Sequence, residues 1–576
     1  MEYEARPQRS RAELRRRRKR RARRRVIRRI IFVLICLIPI ALVLLLFRFL
    51  SSSSEEPAYI ASTEPEVLLE PWERFQPHSL PETDPRTNLG FQWDTDITHE
   101  LGAIHFGMPE DYARLAGITT FRGNNFRNSA AWGTADITEE RLVVRYEIGI
   151  GQTRRTADEG GSGQELWTGT GWPGQPVIVQ WDMEVQQMMN LYPHMREQEG
   201  LIEVIQAAMD GYIHFFDLET GQATRDRISL NGEPMKGGAV IDPRGYPLLY
   251  VGQGDLMTGG RFGYYIFSLI DGSELFFLDG DDPFAPRDWP AFDSNPLIDA
   301  ANDRMILCGE NGIVYNILLN TLFDRTAGTI SIDPFISRYR FVTNPHREIY
   351  GIENSPAAFG HHLFFADNSG LIQCVDMQTL EPVWVFDGGD DTDATLVLDW
   401  EEAHDRLVIY TGTSVDLQGS GGYAFIRKLD AANGGVLWEH SYFCQYNPNV
   451  NGGVMGTPVL GMGDISDLVI FSIAKPIGVG GDNLLIAFDR ESGEIVWELV
   501  TRYYAWSSPV AVYTPDGRSY IVLADQQGHM HLIRGISGEI VYSLRLYGTI
   551  EASPAVFGNR IVIGTRWQRI FGIEIL

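Results

Sequence analysis

The chain has 576 residues, of which 44% are hydrophobic and 22% charged. That composition supports a large folded core and excludes a disordered chain, a collagen and a small disulfide-built scaffold. The formal net charge of −26 conceals two regions, because residues 1–29 hold fourteen Arg and one Lys against three Glu, a net of +12. The acidic remainder is a poor surface for nucleic acid, so no nucleic acid is expected on the folded body.

Residues 1–29 read as a basic cytoplasmic tail. An uncharged apolar run follows at 30–47. At 1.5 Å per residue it spans about 27 Å, close to the hydrocarbon thickness of a bilayer. The predicted transmembrane helix covers 30–49, with Arg48 snorkelling at its far end. The charge asymmetry places the tail in the cytoplasm and the body outside it. A cleaved signal peptide is the competing reading, but Phe47-Arg48-Phe49-Leu50 offers no small-residue cleavage site. The expected protein is therefore a single-pass cell-membrane protein with an extracytoplasmic body. Residues 50–85, rich in Ser, Glu, Pro and Thr, read as a disordered stalk. Residues 86–140 read as a lead-in segment packed on the main fold, with a short helix near 109–115.

From residue 141 to 576 one unit recurs. It opens with a small residue, Pro and an apolar pair, and closes on a Gly turn and an aromatic strand. Openers fall at residues 176, 239, 296, 356, 397, 458, 509 and 554, separated by 41 to 63 residues. That period matches one four-stranded sheet per repeat. The segments are short, turn-bounded and rich in Val, Ile, Phe and Tyr, as strands are. The predicted fold is an all-β, eight-bladed β-propeller, with seven blades as the alternative. The last repeat has room for only three strands. RLVVRYEI at 141–148 is expected to supply its outer strand and close the ring. Trp384, Trp438 and Trp497 at the blade ends read as packing between blades.

The repeats resemble those of pyrroloquinoline-quinone (PQQ)-type propellers, the group that includes quinoprotein alcohol dehydrogenases and the outer-membrane assembly lipoprotein BamB. DRESGEIVW (489–497), LDAANGGVLW (429–438) and GISGEIVY (535–542) carry the resemblance, and TFRGNN (120–125) looks like the segment that often precedes the first blade. It covers about residues 118–576. Blade motifs are structural, so the resemblance implies fold more than function. The quinoprotein members typically use a calcium-bound quinone held by Glu, Asn and Asp, many with two adjacent cysteines. This chain has four cysteines, none adjacent, and no Cys-x-x-Cys-His motif. PQQ is therefore disfavoured, and none of that family's ligands carries over. Calcium is the one cofactor left open.

The metal candidates are Asp387, Asp390, Asp391 and Asp393, four hard carboxylates in one Gly-rich turn. Solvated turns are the alternative reading, as they are for Asp279, Asp281 and Asp282 and for Asp464 and Asp467. His529 and His531 share a strand face near Asp525 and are read as packing histidines rather than zinc ligands. His361 and His362 are expected to point to opposite faces. The ligand-binding candidates are aromatics and an amide in loops that feed blades: Trp167, Trp172, Tyr442, Tyr446, Asn447, Tyr503, Tyr504 and Trp506. Such residues suit protein hot spots or stacking on sugars, and channel plugs are the competing reading. The expected function is a monomeric, membrane-anchored, noncatalytic binding or scaffold module for an envelope protein or cell-wall component. A quinone- or calcium-dependent oxidoreductase or a polysaccharide-active enzyme is the alternative.

Overall fold

The computed structural model describes residues 69–80, 90–154, 166–172, 174–255, 260–343, 349–447 and 450–576. The predicted basic tail (1–29), membrane helix (30–49) and stalk as far as residue 68 lie outside the described residues. No helix among the described residues is long and apolar enough to cross a membrane.

Eight antiparallel sheets form eight blades. Blade 1 contains Val177–Gln180, Ile202–Ala207, Tyr212–Asp217 and Ile228–Ser229. Blade 2 contains Val240–Ile241, Leu248–Gly252, Gly263–Ser268 and Glu274–Asp279. Blade 3 contains Leu297–Asp299, Arg304–Cys308, Ile313–Leu318 and Phe335–Val342, with Gln92–Ile97 added outside. Blades 4 to 7 open with Ala357–Phe359, Val397–Glu401, Val459–Leu460 and Val510–Tyr513. Blade 8 contains Ala555–Phe557, Arg560–Thr565 and Arg569–Ile575, and Leu142–Gly149 pairs antiparallel with the last of these. The strand anticipated at 141–148 thus closes the ring, and the blade count is eight.

Burial follows position in the blade. Inner strands such as Leu468–Ala474 are buried on both faces and read as continuous apolar runs. Outer strands such as Val436–Phe443 alternate exposed and half-buried residues. Apolar layers lie between neighbouring blades: Phe364 and Trp384 of blade 4, for example, pack with Leu396 and Leu398 of blade 5.

The small residue before each opener has a specific task. The backbone N–H of one such residue donates to the side chain of its counterpart in the next blade. The links run Gly238 to Asn295 (3.2 Å), Asn295 to Ser355 (2.9 Å), Ser355 to Thr395 (3.0 Å), Thr395 to Thr457 (3.2 Å), Thr457 to Ser508 (3.0 Å) and Ser508 to Ser553 (3.2 Å). Ser553 N–H then reaches the Gly174 carbonyl at 2.9 Å. Short side chains with an acceptor oxygen are what this belt requires, since each buried N–H needs a partner.

Residues 116–132 run through the centre of this belt and bond to every blade. Ala116–Ile118 adds to the first strand of blade 1, and Ala131–Trp132 pairs in parallel with Ala555–Phe557 of blade 8. Gly117 sits at φ +142°, where a Cβ would stand 2.0 Å from the Ile178 carbonyl, so only glycine fits. Ile241 N–H donates to the Thr119 carbonyl, Ala358 N–H to that of Asn125, and Leu398 N–H to that of Phe126. The Arg127 guanidinium donates to the carbonyls of Asn295 and Pro356 (both 2.8 Å), and that of Arg122 to Pro509 (2.8 Å) and Pro458 (2.9 Å). Both arginines are fully buried, and that burial lowers each guanidinium to about 10. The lead-in is therefore the axial plug of the propeller.

The stalk reading extended to residue 85, but residues 69–80 are packed. Pro71–Arg74 forms a helical turn, Phe75 is buried among Phe359, Phe364 and His362, and His78 N–H donates to the Ala432 carbonyl. Trp72 and Phe75 are the reason, being two large apolar side chains that a solvated stalk would leave exposed.

Candidate functional site

Just before each opener the chain enters its blade, next to the carbonyls that receive the plug arginines, and this end of the propeller is its mouth. Among the described residues the positions are Lys236, Asp293, Glu353, Asp393, Met455, Trp506 and Glu551, Asp393 standing four residues before its opener and the others three. Four are acidic. Asp255, Glu310, Asp391 and Asp416, from adjoining loops, extend the acidic surface. Lys236 Nζ lies 3.1 Å from Asp293 Oδ2. Burial works to lower Lys236, but Asp293, Glu310 and Glu353 more than offset it and hold the ammonium charged.

Burial raises Asp293, Glu310, Asp391, Asp393, Asp416 and Glu551. Burial pushes Asp293 up to about 6 against the pull of Lys236, with Glu353 adding to the rise. Burial, then Glu353 and Asp293, drive Glu310 well up. Burial dominates again at Asp391, followed by Asp393 and Glu353, and at Asp393, where Glu353 also contributes. Glu310 Oε1 and Asp393 Oδ2 are buried without a hydrogen-bond partner. Clustered acids of this kind, cut off from water, favour a positive charge brought among them.

The structure divides the predicted aspartates. Asp390 is committed to its own loop, accepting from the backbone N–H groups of Asp391, Asp416, Leu417 and Gln418. Asp387 accepts from Gly389 N–H at the end of a strand. Only Asp391 and Asp393 join the acidic mouth. No three of the four bring ligand atoms within 4.8 Å of one another.

The predicted aromatics also divide. Trp172 crosses the mouth from the entry to blade 1 and donates to the Met455 carbonyl at the entry to blade 6 (3.2 Å). Trp506 donates to the Asn451 carbonyl (3.3 Å) and lies 5.7 Å from Tyr504, over which Lys475 is placed. Trp167 is mostly buried, donates to Asp255 at 2.8 Å, and has Arg566 over its ring at 4.9 Å. Arg566 in turn lies 3.7 Å from Glu551. A groove of about 470 Å³ opens beside Arg566, between Gln526, Arg545, Thr549 and Trp567. Tyr503 instead stacks on His529 in blade 7, at 5.6 Å and 4°. Tyr442 packs between blades 5 and 6, and Tyr446 and Asn447 are exposed beyond the outer strand of blade 5.

The histidines require one correction. His529 and His531 do share a face, 5.9 Å apart with Asp525 beside them. His361 and His362, expected on opposite faces, lie with ring centroids 4.0 Å apart. Strand alternation does not apply, because Gly360 (φ +60°) and His361 form the two-residue turn between Phe359 and His362. Burial, then His361, lower the His362 imidazole to about 3.

Fold and site together define an eight-bladed propeller with a plugged axis and an acidic mouth. Residues 481–576 match the family model described as "Outer membrane protein assembly factor BamB". No curated protein sequence matches the chain. Among solved structures, BamB from Moraxella catarrhalis is similar at 16% identity, covering 70% of this chain and 97% of that one, with a TM-score of 0.42. The quinohemoprotein alcohol dehydrogenase from Comamonas testosteroni is similar at 12% identity, covering 81% of each chain, with a TM-score of 0.40.

Proposed function

We propose that the protein is a noncatalytic binding or scaffold module, held at the membrane by residues 30–49, whose channel mouth receives a cationic group of an envelope protein or cell-wall component. The observation that supports this reading is the mouth itself. Lys236, Asp255, Asp293, Glu310, Glu353, Asp391, Asp393 and Asp416 lie close enough to act on one another's charges, and Trp172, Trp506 and Tyr504 stand at blade entries of the same ring. A lysine, arginine or amine would supply the partners that Glu310 Oε1 and Asp393 Oδ2 lack. Aromatic faces suit the same group.

The test is binding of an oligolysine peptide to the full chain in detergent, followed with increasing salt. The expected result is saturable binding that weakens with salt and is reduced about ten-fold or more by Glu353→Gln with Asp393→Asn. Binding that ignores both changes overturns the reading. Hard carboxylate oxygens also suit calcium, so metal content and the absorbance of the same preparation are measured together. Stoichiometric calcium or a bound quinone would favour the oxidoreductase alternative.

A further inference from the structure

On blade 4, away from the acidic mouth, three side chains converge without an assigned task. His361 lies in the turn between the first two strands, His362 begins the second strand, and Asp376 ends the third. His362 and Asp376 are paired directly across the sheet. One ligand atom from each of the three lies within 4.8 Å of the others. His361 Nε2 is 3.7 Å from Asp376 Oδ2.

The surroundings are those of a ligand site rather than of a surface cluster. His362 is 6% exposed, and its Nδ1 is buried with no hydrogen-bond partner. A buried imidazole nitrogen without a partner is costly unless something fills its coordination. Asp376 Oδ1 accepts the N–H of Gln378 at 2.8 Å, which fixes the carboxylate and leaves Oδ2 toward His361. A ligating carboxylate is held in the same way by a second hydrogen bond. Phe75 meets His362 edge-on at 5.6 Å and 84°, and Trp72 lies against Gly360, so residues 69–80 form an apolar wall beside the pair.

We propose that His361, His362 and Asp376 form a site for a borderline divalent cation, and that zinc is the ion their chemistry selects. Two imidazoles and one carboxylate are a donor set that zinc takes with a water in the fourth position. Bonds of about 2.0–2.1 Å in a tetrahedron place ligand atoms about 3.3 Å apart. The 3.7 Å separation of His361 and Asp376 needs only a small rotation of an exposed turn side chain to reach that value. Calcium does not suit the site, because it prefers six or more oxygens. Bound metal would tie the turn at residues 360–361 to the end of the third strand. It would also stiffen the ledge on which residues 69–80 rest.

The experiment uses the full chain in detergent, stripped with chelator and dialysed against Zn²⁺ or Co²⁺. Expected are one zinc per chain, visible Co²⁺ bands of four-coordinate intensity, and a rise in thermal midpoint on adding zinc. His361→Ala and Asp376→Asn, both at partly exposed positions, keep the metal-free midpoint. Each lowers zinc affinity about ten-fold or more and abolishes the zinc-dependent rise. His529→Gln leaves the zinc count unchanged. Zinc held equally by the His361 and Asp376 variants, or lost with His529→Gln, overturns the proposal. So does a native chain that takes up no zinc.

Discussion

The indole of Trp384 lies against Gly434 of the next blade and donates from Nε1 to the Ala431 carbonyl at 3.0 Å. Trp438 repeats this on Gly493 and Arg490, and Trp497 on Gly538 and Gly535. The turn glycine and the strand tryptophan of one repeat therefore serve two different interfaces. The glycine receives the ring of the blade before, and the tryptophan covers the glycine of the blade after. Trp384 is fully buried. Trp384→Ala should cost about 3–5 kcal/mol in denaturant unfolding. Trp384→Phe should cost less, about 1–3 kcal/mol, the penalty of leaving the Ala431 carbonyl unpaired.

The ring closure offers a test of opposite sign. Tyr146, in the outer strand of blade 8, covers Gly221 of blade 1 as the tryptophans cover their glycines. Its hydroxyl, however, is buried without a partner, and burial raises its ionisation well above the ordinary value. Tyr146→Phe should therefore keep the packing and raise stability by about 1 kcal/mol. Tyr146→Ala should lower it by about 3 kcal/mol or more. Thermal midpoints of the two variants decide the point, and a destabilised Phe variant would mean that the hydroxyl is satisfied in solution.

Arg127 should be irreplaceable even by lysine. Its planar fork reaches carbonyls of blades 3 and 4 at once, and also the Thr120 hydroxyl and Phe121 carbonyl. An ammonium is a point charge on a flexible stem and cannot span these acceptors. Both Arg127→Lys and Arg127→Met should destabilise by about 3 kcal/mol or more, because several buried carbonyls lose their donor. Full retention of stability in the lysine variant, read by denaturant midpoint, would remove the plug from the list of structural determinants.

Much of this was legible in the chain. The opener spacing marked each blade, and 141–148 marked the closure, because strand-forming residues alternate and turns carry glycine. The plug was legible only as an ordered lead-in. Arg122 and Arg127 look like surface residues until the carbonyls that receive them are in place, and those lie up to 387 residues away. The acidic mouth was half visible. Asp391 and Asp393 stood out as neighbours in sequence, whereas Asp293, Glu353 and Glu551 are single acids. Only their shared place three residues before an opener joins them. Tyr442 packs between blades and Tyr503 stacks on His529, because an aromatic near a blade entry can as readily turn between blades as toward the axis.

That mouth should show itself in the pH dependence of stability. Asp293 has an ordinary carboxyl value of 3.8 and rises in the fold to about 6, mainly through burial, with Lys236 opposing. A carboxyl raised by folding favours the folded state most when it is protonated in both states, below about pH 4. That contribution is lost as pH climbs through about 6, where the folded group must ionise in its buried site. Asp293→Asn cannot ionise, so it serves as the reference. The thermal midpoint of the native chain minus that of the variant should fall between about pH 4 and 6 and level off above. A cationic peptide seated in the mouth should flatten the fall, because it lowers the cost of the ionised form. A difference that stays constant, or rises with pH, would show that Asp293 keeps its charge through a tighter bond to Lys236 than the 3.1 Å contact provides.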